Sequence, residues 1–341
     1  MKIQLKKLQD QVLVITGASS GIGLVTARMA AAAGAKVVLS SRNEHDLEAA
    51  VEEIRQAGGQ ATFEIADVSS QREVEWIAQT ALREYGRIDT WVNNAGVALY
   101  GKLMDTPLDD MRRLVDVIFW GVVHGSRTAV PHLSRQGGAL INVASVLADR
   151  AVPLQGAYVA AKHAVKGFTD TLRMELEADG VPVSVTLVKP ASIDTPLFDK
   201  ARSLMEVEPQ PVPPVYAPDL VARAILDCAQ KPLRDVEVGG MGKAMSIFNT
   251  VAPRLTDLAL ERSGFRAQKT DKPLEGRSDN LHRHVDHDGG ERGANWQGDV
   301  KERSPYTRAR TTLRPRTTAL AALGAGAAML AGFRAFRKPD R

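Results

Sequence analysis

The sequence predicts an α/β protein built on a doubly wound parallel sheet of about seven strands, with a C-terminal extension. Short, continuously apolar, β-branched runs alternate with longer helical patterns over residues 11–240. Such runs fit strands buried on both faces. A glycine-rich turn joins the first run to the helix behind it, where a phosphate-bearing ligand would sit.

The first strand candidate, Val12-Leu13-Val14-Ile15, feeds Thr16-Gly17-Ala18-Ser19-Ser20-Gly21-Ile22-Gly23 and a helical stretch over residues 23–33. Lys36-Val37-Val38-Leu39 precedes a helix over 44–56, and the run 61–65 precedes one over 71–85. Thr90-Trp91-Val92 leads, through a loop, to a long helix over 108–133. The runs 139–143, 183–188 and 235–238 complete the set. Residues 190–218 carry Pro190, Pro196, Pro209, Pro211, Pro213, Pro214 and Pro218. Because this segment follows a strand's carboxyl end, it reads as a lid over a ligand site. After residue 240 the strands stop. The expected order is a catalytic domain over 1–240, a helix over 241–264, a polar and disordered linker over 265–316, and an uncharged segment over 317–333.

An apolar fraction of 44% over 341 residues is ample for a core. Cys228 is the sole cysteine, so no intrachain disulfide forms, which fits a reducing compartment. The N-terminal Met1-Lys2-Ile3-Gln4-Leu5-Lys6-Lys7 lacks the apolar core of a secretory signal, so a cytoplasmic location is expected. The net charge of +4 arises in residues 301–341, and residues 1–300 are mildly acidic. That balance argues against a nucleic-acid-binding body. Residues 317–333 hold no charge and are flanked by arginines. Their length is at the lower limit for a span, about 17–25 residues, so membrane association and a docked helix both stay open. The segment His282-Arg283-His284-Val285-Asp286-His287-Asp288 is polar and reads as solvated linker, so no metal site is expected.

Three positions suggest proton transfer. Tyr158 and Lys162 share one helix face at i and i+4, and Ser145 lies thirteen residues upstream of Tyr158, near a strand end. A free phenol titrates near 10, and a nearby cation lowers that value. Ser145 would hold a substrate oxygen beside the phenol. At the end of the second strand, Ser41 and Arg42 stand where an acidic residue takes a ribose diol in NAD enzymes. A guanidinium suits a 2′-phosphate, so NADP(H) is the expected cofactor.

With these pieces in place, residues 8–240 resemble the short-chain dehydrogenase/reductase family, which is Rossmann-like in fold. The motifs occur in order: Thr16 to Gly23, Asp67-Val68, Asn93-Asn94-Ala95-Gly96, Ser145, Tyr158 with Lys162, and Pro190 to Thr195. The resemblance implies that Gly17, Ser19, Ser20, Gly21, Ile22 and Gly23 cradle the pyrophosphate. It implies that Asp67 and Val68 meet the adenine, and that Asn94, Ala95 and Gly96 hold the middle of the cofactor. Pro190, Ile193 and Thr195 would meet the nicotinamide, and Tyr158 would be the general acid/base, with Lys162 lowering its pKa. Two positions depart. Ile118 stands where the family often has an asparagine, and Pro190-Ala191 replaces a common Pro-Gly pair.

The function this implies is NADP(H)-dependent interconversion of a carbonyl and an alcohol. Val97, Leu99, Leu147, Val152, Leu154 and Leu197 are expected near the pocket and favour a lipophilic substrate. Two other readings stay open: a non-catalytic NADP(H)-binding scaffold or sensor, and an isomerase or epimerase on the same fold. By analogy, a homo-oligomer pairs through the helices near 108–133 and 157–179.

Overall fold

Seven strands make the central sheet: β1 (Val12–Thr16), β2 (Lys36–Ser41), β3 (Gln60–Ile65), β4 (Thr90–Asn93), β5 (Gly138–Val143), β6 (Val183–Pro190) and β7 (Asp235–Val238). In this computed structural model, which describes residues 3–240, 248, 250–287 and 289–312, they run in the order β7-β6-β5-β4-β1-β2-β3. Every neighbouring pair is parallel. The seven strands and their order of appearance agree with the apolar runs in the sequence, because strands buried on both faces need no polar alternation.

Successive side chains point to opposite faces, so each strand feeds two cores. Leu13 and Ile15 of β1 join one cluster, whereas Val14 joins the other. The first face is covered by α1 (Gly21–Ala32), α2 (Glu44–Gln56) and α7 (Pro218–Gln230). The second is covered by α3 (Gln71–Tyr85), α4 (Leu108–Val115), α5 (Gly121–Leu133) and α6 (Gly156–Ala178). Local chemistry sets the helix ends. Asn43 accepts from the Asp46 N–H to start α2, and Gly86, at φ +76°, closes α3.

The long helix expected over 108–133 is continuous, but Asp116–Trp120 is a single π turn between α4 and α5. Ile118 lies in that turn with its side chain fully buried. Such turns often occur at functional sites.

Residues 265–312 depart from the expected disordered linker. After α8 (Pro253–Ala267) the chain forms a strand at Lys269–Pro273, which pairs with Val207–Pro209 of the proline-rich segment. Val300–Lys301 pairs with Val215–Tyr216, and α9 (Pro305–Thr312) packs beside β7. The segment is polar because backbone and buried polar groups hold it: Asn280, Asn295, Ser304, Thr307 and Thr311 are buried, and Leu281 is its one apolar plug in a core cluster. Composition alone cannot reveal such a hydrogen-bonded docking.

The helix expected over 241–264 is represented by α8, while residues 241–247 lie outside the described residues. No described helix is long and apolar enough to cross a membrane, and residues 317–333 lie outside the described residues.

Candidate active site

The strand order reverses between β4 and β1, which opens a crevice at their carboxyl ends. Two motifs far apart in sequence form one unit there. Thr16 Oγ1 accepts the N–H groups of Asn94 and Ala95, both at 3.1 Å. Asn94 returns the contact by donating to the carbonyls of Thr16 (3.0 Å) and Gly17 (3.1 Å). Asn94 therefore holds the glycine turn in shape. Gly21 adopts φ +54°, a left-handed conformation that favours glycine. At Gly23 an added Cβ would lie 2.1 Å from the Gly17 carbonyl oxygen, so only glycine lets α1 approach the turn. Gly17, Ser19, Ser20, Gly21 and Ile22 line a cavity of about 310 Å³, together with Asn94, Ala95 and Gly96. Gly23 lies behind them as the packing point. A backbone cradle that no side chain can fill, at a helix N-terminus, fits a pyrophosphate.

At the other end of the same cavity stand Ser145, Tyr158 and Lys162. Ser145 follows β5, and its Oγ accepts the Leu147 N–H at 3.1 Å. Ser145 and Tyr158 line the same cavity, and the serine hydroxyl acts to lower the phenol's pKa. Tyr158 and Lys162 occupy the first two turns of α6. Leu154, just before that helix, takes φ +68°, an unusual conformation for leucine. The Gly101 N–H donates to its carbonyl at 2.9 Å and anchors the bend. Behind the site, Asn93 donates to Asn142 (2.8 Å), which donates to Thr169 (2.9 Å), tying β4 and β5 to α6.

The electrostatics differ from the expectation of a lowered phenol. Burial pushes Tyr158 up to about 12, and the Ser145 hydroxyl only partly offsets this. Burial lowers Lys162 to about 8. Lys162 Nζ donates to the Val143 carbonyl at 2.9 Å rather than to the phenol.

The far end of the cleft holds Ser41, Arg42, Asp67 and Val68 at the ends of β2 and β3. The Arg42 guanidinium faces the cavity wall, and it donates to the carbonyls of Asn280, Leu281 (3.5 Å) and His282 (3.4 Å). It also lies 3.9 Å from the Asp67 carboxylate. Asp67 bonds Arg113 and accepts the Ser69 N–H at 2.9 Å. Burial alone would raise Asp67, but these hydrogen bonds outweigh it and hold the carboxyl below its ordinary range. The Gly21 N–H donates to the Gly290 carbonyl at 2.8 Å. The C-terminal segment thus closes over the nucleotide end.

On the nicotinamide side, Pro190, Ile193 and Thr195 line the cavity, followed by Pro196, Leu197, Phe198 and Lys200 of the proline-rich segment. That segment covers the cavity but is tied down: Ser192–Ile193 pairs with Val215–Tyr216, and Arg202–Ser203 pairs with Leu99–Tyr100. Val97, Leu147, Val152 and Leu197 line the cavity. Leu99 and Leu154 do not; both are buried in core clusters instead. Several lining residues escaped sequence reasoning, namely Tyr100, Gln155, Lys200, Leu260, Gln268, Asn280 and His284. Lys200 donates to Ser20 Oγ at 2.8 Å beside the glycine turn, and Gln155 donates to Gln268 at 2.6 Å. A lone lysine in a loop, or an asparagine in a polar tail, carries no motif that could have marked it. His287 meets His45 and Asp46, with ligand atoms all within 4.8 Å, on the exposed surface.

Comparison with known proteins agrees with this geometry. The family model for short chain dehydrogenase matches residues 11–206. The oxidoreductase YxnA of Bacillus subtilis strain 168 is 44% identical over 326 residues, covering 95% of this chain and 91% of its own. So extensive a match includes the C-terminal segment. A short-chain dehydrogenase/reductase of Burkholderia phymatum, solved in complex with NAD, superposes with a TM-score of 0.67 at 28% identity, over 75% of this chain and 96% of its own. An alcohol dehydrogenase of the archaeon Thermococcus sibiricus, solved with 5-hydroxy-NADP, gives 0.59 at 26% identity, over 67% and 95%.

Proposed function

The chain belongs to the short-chain dehydrogenase family and is an oxidoreductase, and from that premise we propose that it uses NADP(H) to interconvert a lipophilic carbonyl compound and its alcohol. The observation that carries the reading is one continuous cavity with the glycine turn at one end and Ser145, Tyr158 and Lys162 at the other. When bound, the nicotinamide supplies or accepts the hydride. The chain's own residues manage the proton. Ser145 positions the substrate oxygen, and Tyr158 gives it the phenolic proton during reduction or takes it during oxidation. Because burial holds Tyr158 up to about 12, it stays protonated near neutrality, which favours its acting as an acid in the reductive direction. Lys162 is fixed by the Val143 carbonyl close to the phenol. The substrate end is walled by Val97, Val152, Leu197, Phe198 and Leu260, which supports an apolar substrate. Arg42 at the wall, and the lack of an acidic residue at the end of β2, support NADP(H) over NAD(H).

The test is NADPH oxidation by purified protein with a panel of ketones and aldehydes, compared with Tyr158→Phe. Turnover that disappears in the variant supports the reductase. Tight NADPH binding with no turnover on any compound supports a sensor instead. Pairing of two copies through α4, α5 and α6 belongs to the same reading, supported by the exposed Leu108, Trp120 and Met174 on those helices and the adjoining π turn.

A further inference from the structure

We propose that Asn280, in the C-terminal extension, is a cofactor-binding residue whose side-chain amide hydrogen-bonds the adenosine half of the dinucleotide. The inference rests on the dinucleotide reading above and assigns part of that site to a segment beyond the matched family core, residues 11–206.

Asn280 lines the same cavity as Arg42, Asp67 and Val68, at the end remote from Tyr158. It is only 7% exposed, and its Oδ1 is buried with no hydrogen-bond partner. Leaving a buried amide unpaired costs about 1–3 kcal/mol. The chain around it is firmly held. The Asn280 N–H donates to the Lys200 carbonyl at 3.0 Å, and its own carbonyl accepts from Arg42. The Leu281 carbonyl accepts from Arg113 Nε at 3.0 Å, while the Leu281 side chain is fully buried. Four residues on, the Val285 carbonyl accepts from Asn43 Nδ2 at 3.0 Å. The backbone around Asn280 is therefore held on both sides, while its side-chain oxygen in the cavity wall has no partner.

An amide both donates and accepts, as the adenine edge does, and asparagine is a common partner of adenine for that reason. The obvious competitor is Asp67, but its oxygens already accept from Arg113 and Ser69. A 2′-phosphate offers acceptors only, and Arg42 is the suited partner for it. The adenine amino group and ribose hydroxyls are the donors that Oδ1 can use.

The experiment compares full-length wild type, Asn280→Ala and Asn280→Asp. NADPH affinity is read by fluorescence titration, reduced nicotinamide mononucleotide serves as the probe without an adenosine half, and the melting temperature is read without nucleotide. The proposal expects NADPH to bind about tenfold more weakly to Asn280→Ala, with mononucleotide affinity and melting temperature unchanged, while Asn280→Asp, whose carboxylate oxygen still accepts, keeps more of the NADPH affinity than Asn280→Ala. The melting temperature should hold because the amide makes no bond within the protein. Repeating the titration with the deamino (hypoxanthine) analogue of NADPH separates the donors: a lost difference between wild type and Asn280→Ala assigns the amino group, and a retained one assigns a ribose hydroxyl. Unchanged NADPH affinity in Asn280→Ala overturns the proposal. So does a fall in melting temperature with both nucleotides weakened alike, which would mark a structural role. A wild type that binds neither NADPH nor NADH sinks the dinucleotide reading itself and this assignment with it.

Discussion

Lys162 Nζ lies 5.6 Å from the centre of the Tyr158 ring, and its hydrogen bond goes to the Val143 carbonyl at 2.9 Å. The lysine is thus a neighbour of the phenol and not its ion-pair partner. Burial then decides both groups: it raises Tyr158 to about 12 and lowers Lys162 to about 8. If the phenol supplies the proton, as proposed, Tyr158→Phe should cut turnover by about 10²–10⁴. NADPH affinity should stay within about twofold. Steady-state rates and a binding titration check both. Appreciable turnover in the variant would remove Tyr158 from its role.

The Lys162 shift also predicts a pH effect on stability. In the unfolded chain a lysine titrates near 10.4, whereas in the fold it sits at about 8. Between these values the unfolded chain binds the extra proton, so stability rises with pH. Below pH 8 the cost of the buried ammonium is present in full. Lys162→Met lacks that dependence. Urea unfolding from pH 7 to 10 should therefore show the wild type gaining on the variant, by on the order of 3 kcal/mol at most. A difference that stays flat, or falls, would contradict the buried ammonium.

At Ile118 the structure changes what a substitution should do. The side chain is fully buried in the π turn among Val117, Leu114 and Val165. Ile118→Asn would place an amide in an apolar cluster, at a cost of about 1–3 kcal/mol. The melting temperature should fall by several degrees, about 2–4 °C per kcal/mol at this size. Turnover per folded molecule should change if the proton relay depends on this position. An equally stable variant would mean that the turn offers the amide partners of its own.

The strands were legible because their burial on two faces writes an unbroken apolar run, as in Val12 to Ile15. The glycine turn and Tyr158 with Lys162 were legible because spacing fixes their geometry. The role of Arg42 was only half legible. Its place at the end of β2 could be read, but its bonds to the carbonyls of residues 280–282 could not, since carbonyls are the same in every sequence. The docking of residues 265–312 was hidden for that reason, with Leu281 alone marking where an apolar side chain enters the core.

The exposed face of α4, α5 and α6 gives a solution test. Trp120 is 46% exposed, Met174 56% and Leu108 66%, large apolar side chains that cost less when covered. If two copies pair there, Trp120→Asp with Met174→Asp should convert an oligomer to a monomer in sedimentation. The monomer should keep its melting profile near neutral pH, since both side chains face outward. A wild type that sediments as a monomer at micromolar concentration would end the pairing idea.

The extension should report its docking through Leu281. Its side chain is fully buried, and Leu281→Ala removes that plug at a cost of about 2–5 kcal/mol. Because Arg42 and Arg113 hold the same stretch by its carbonyls, the cost falls first on the segment and only then on the sheet. Limited proteolysis should therefore cut the variant within residues 279–295 far faster than the wild type, while the sheet core survives as a large fragment. Arg42→Ala should speed the same cleavage to a smaller degree, because Arg113 still donates to the Leu281 carbonyl. It should also weaken NADPH binding more than NADH binding, as a guanidinium that meets a 2′-phosphate must. If Arg42→Ala loosens the segment without altering the preference between the two cofactors, its work is to fasten the extension, and the 2′-phosphate must be read by another group.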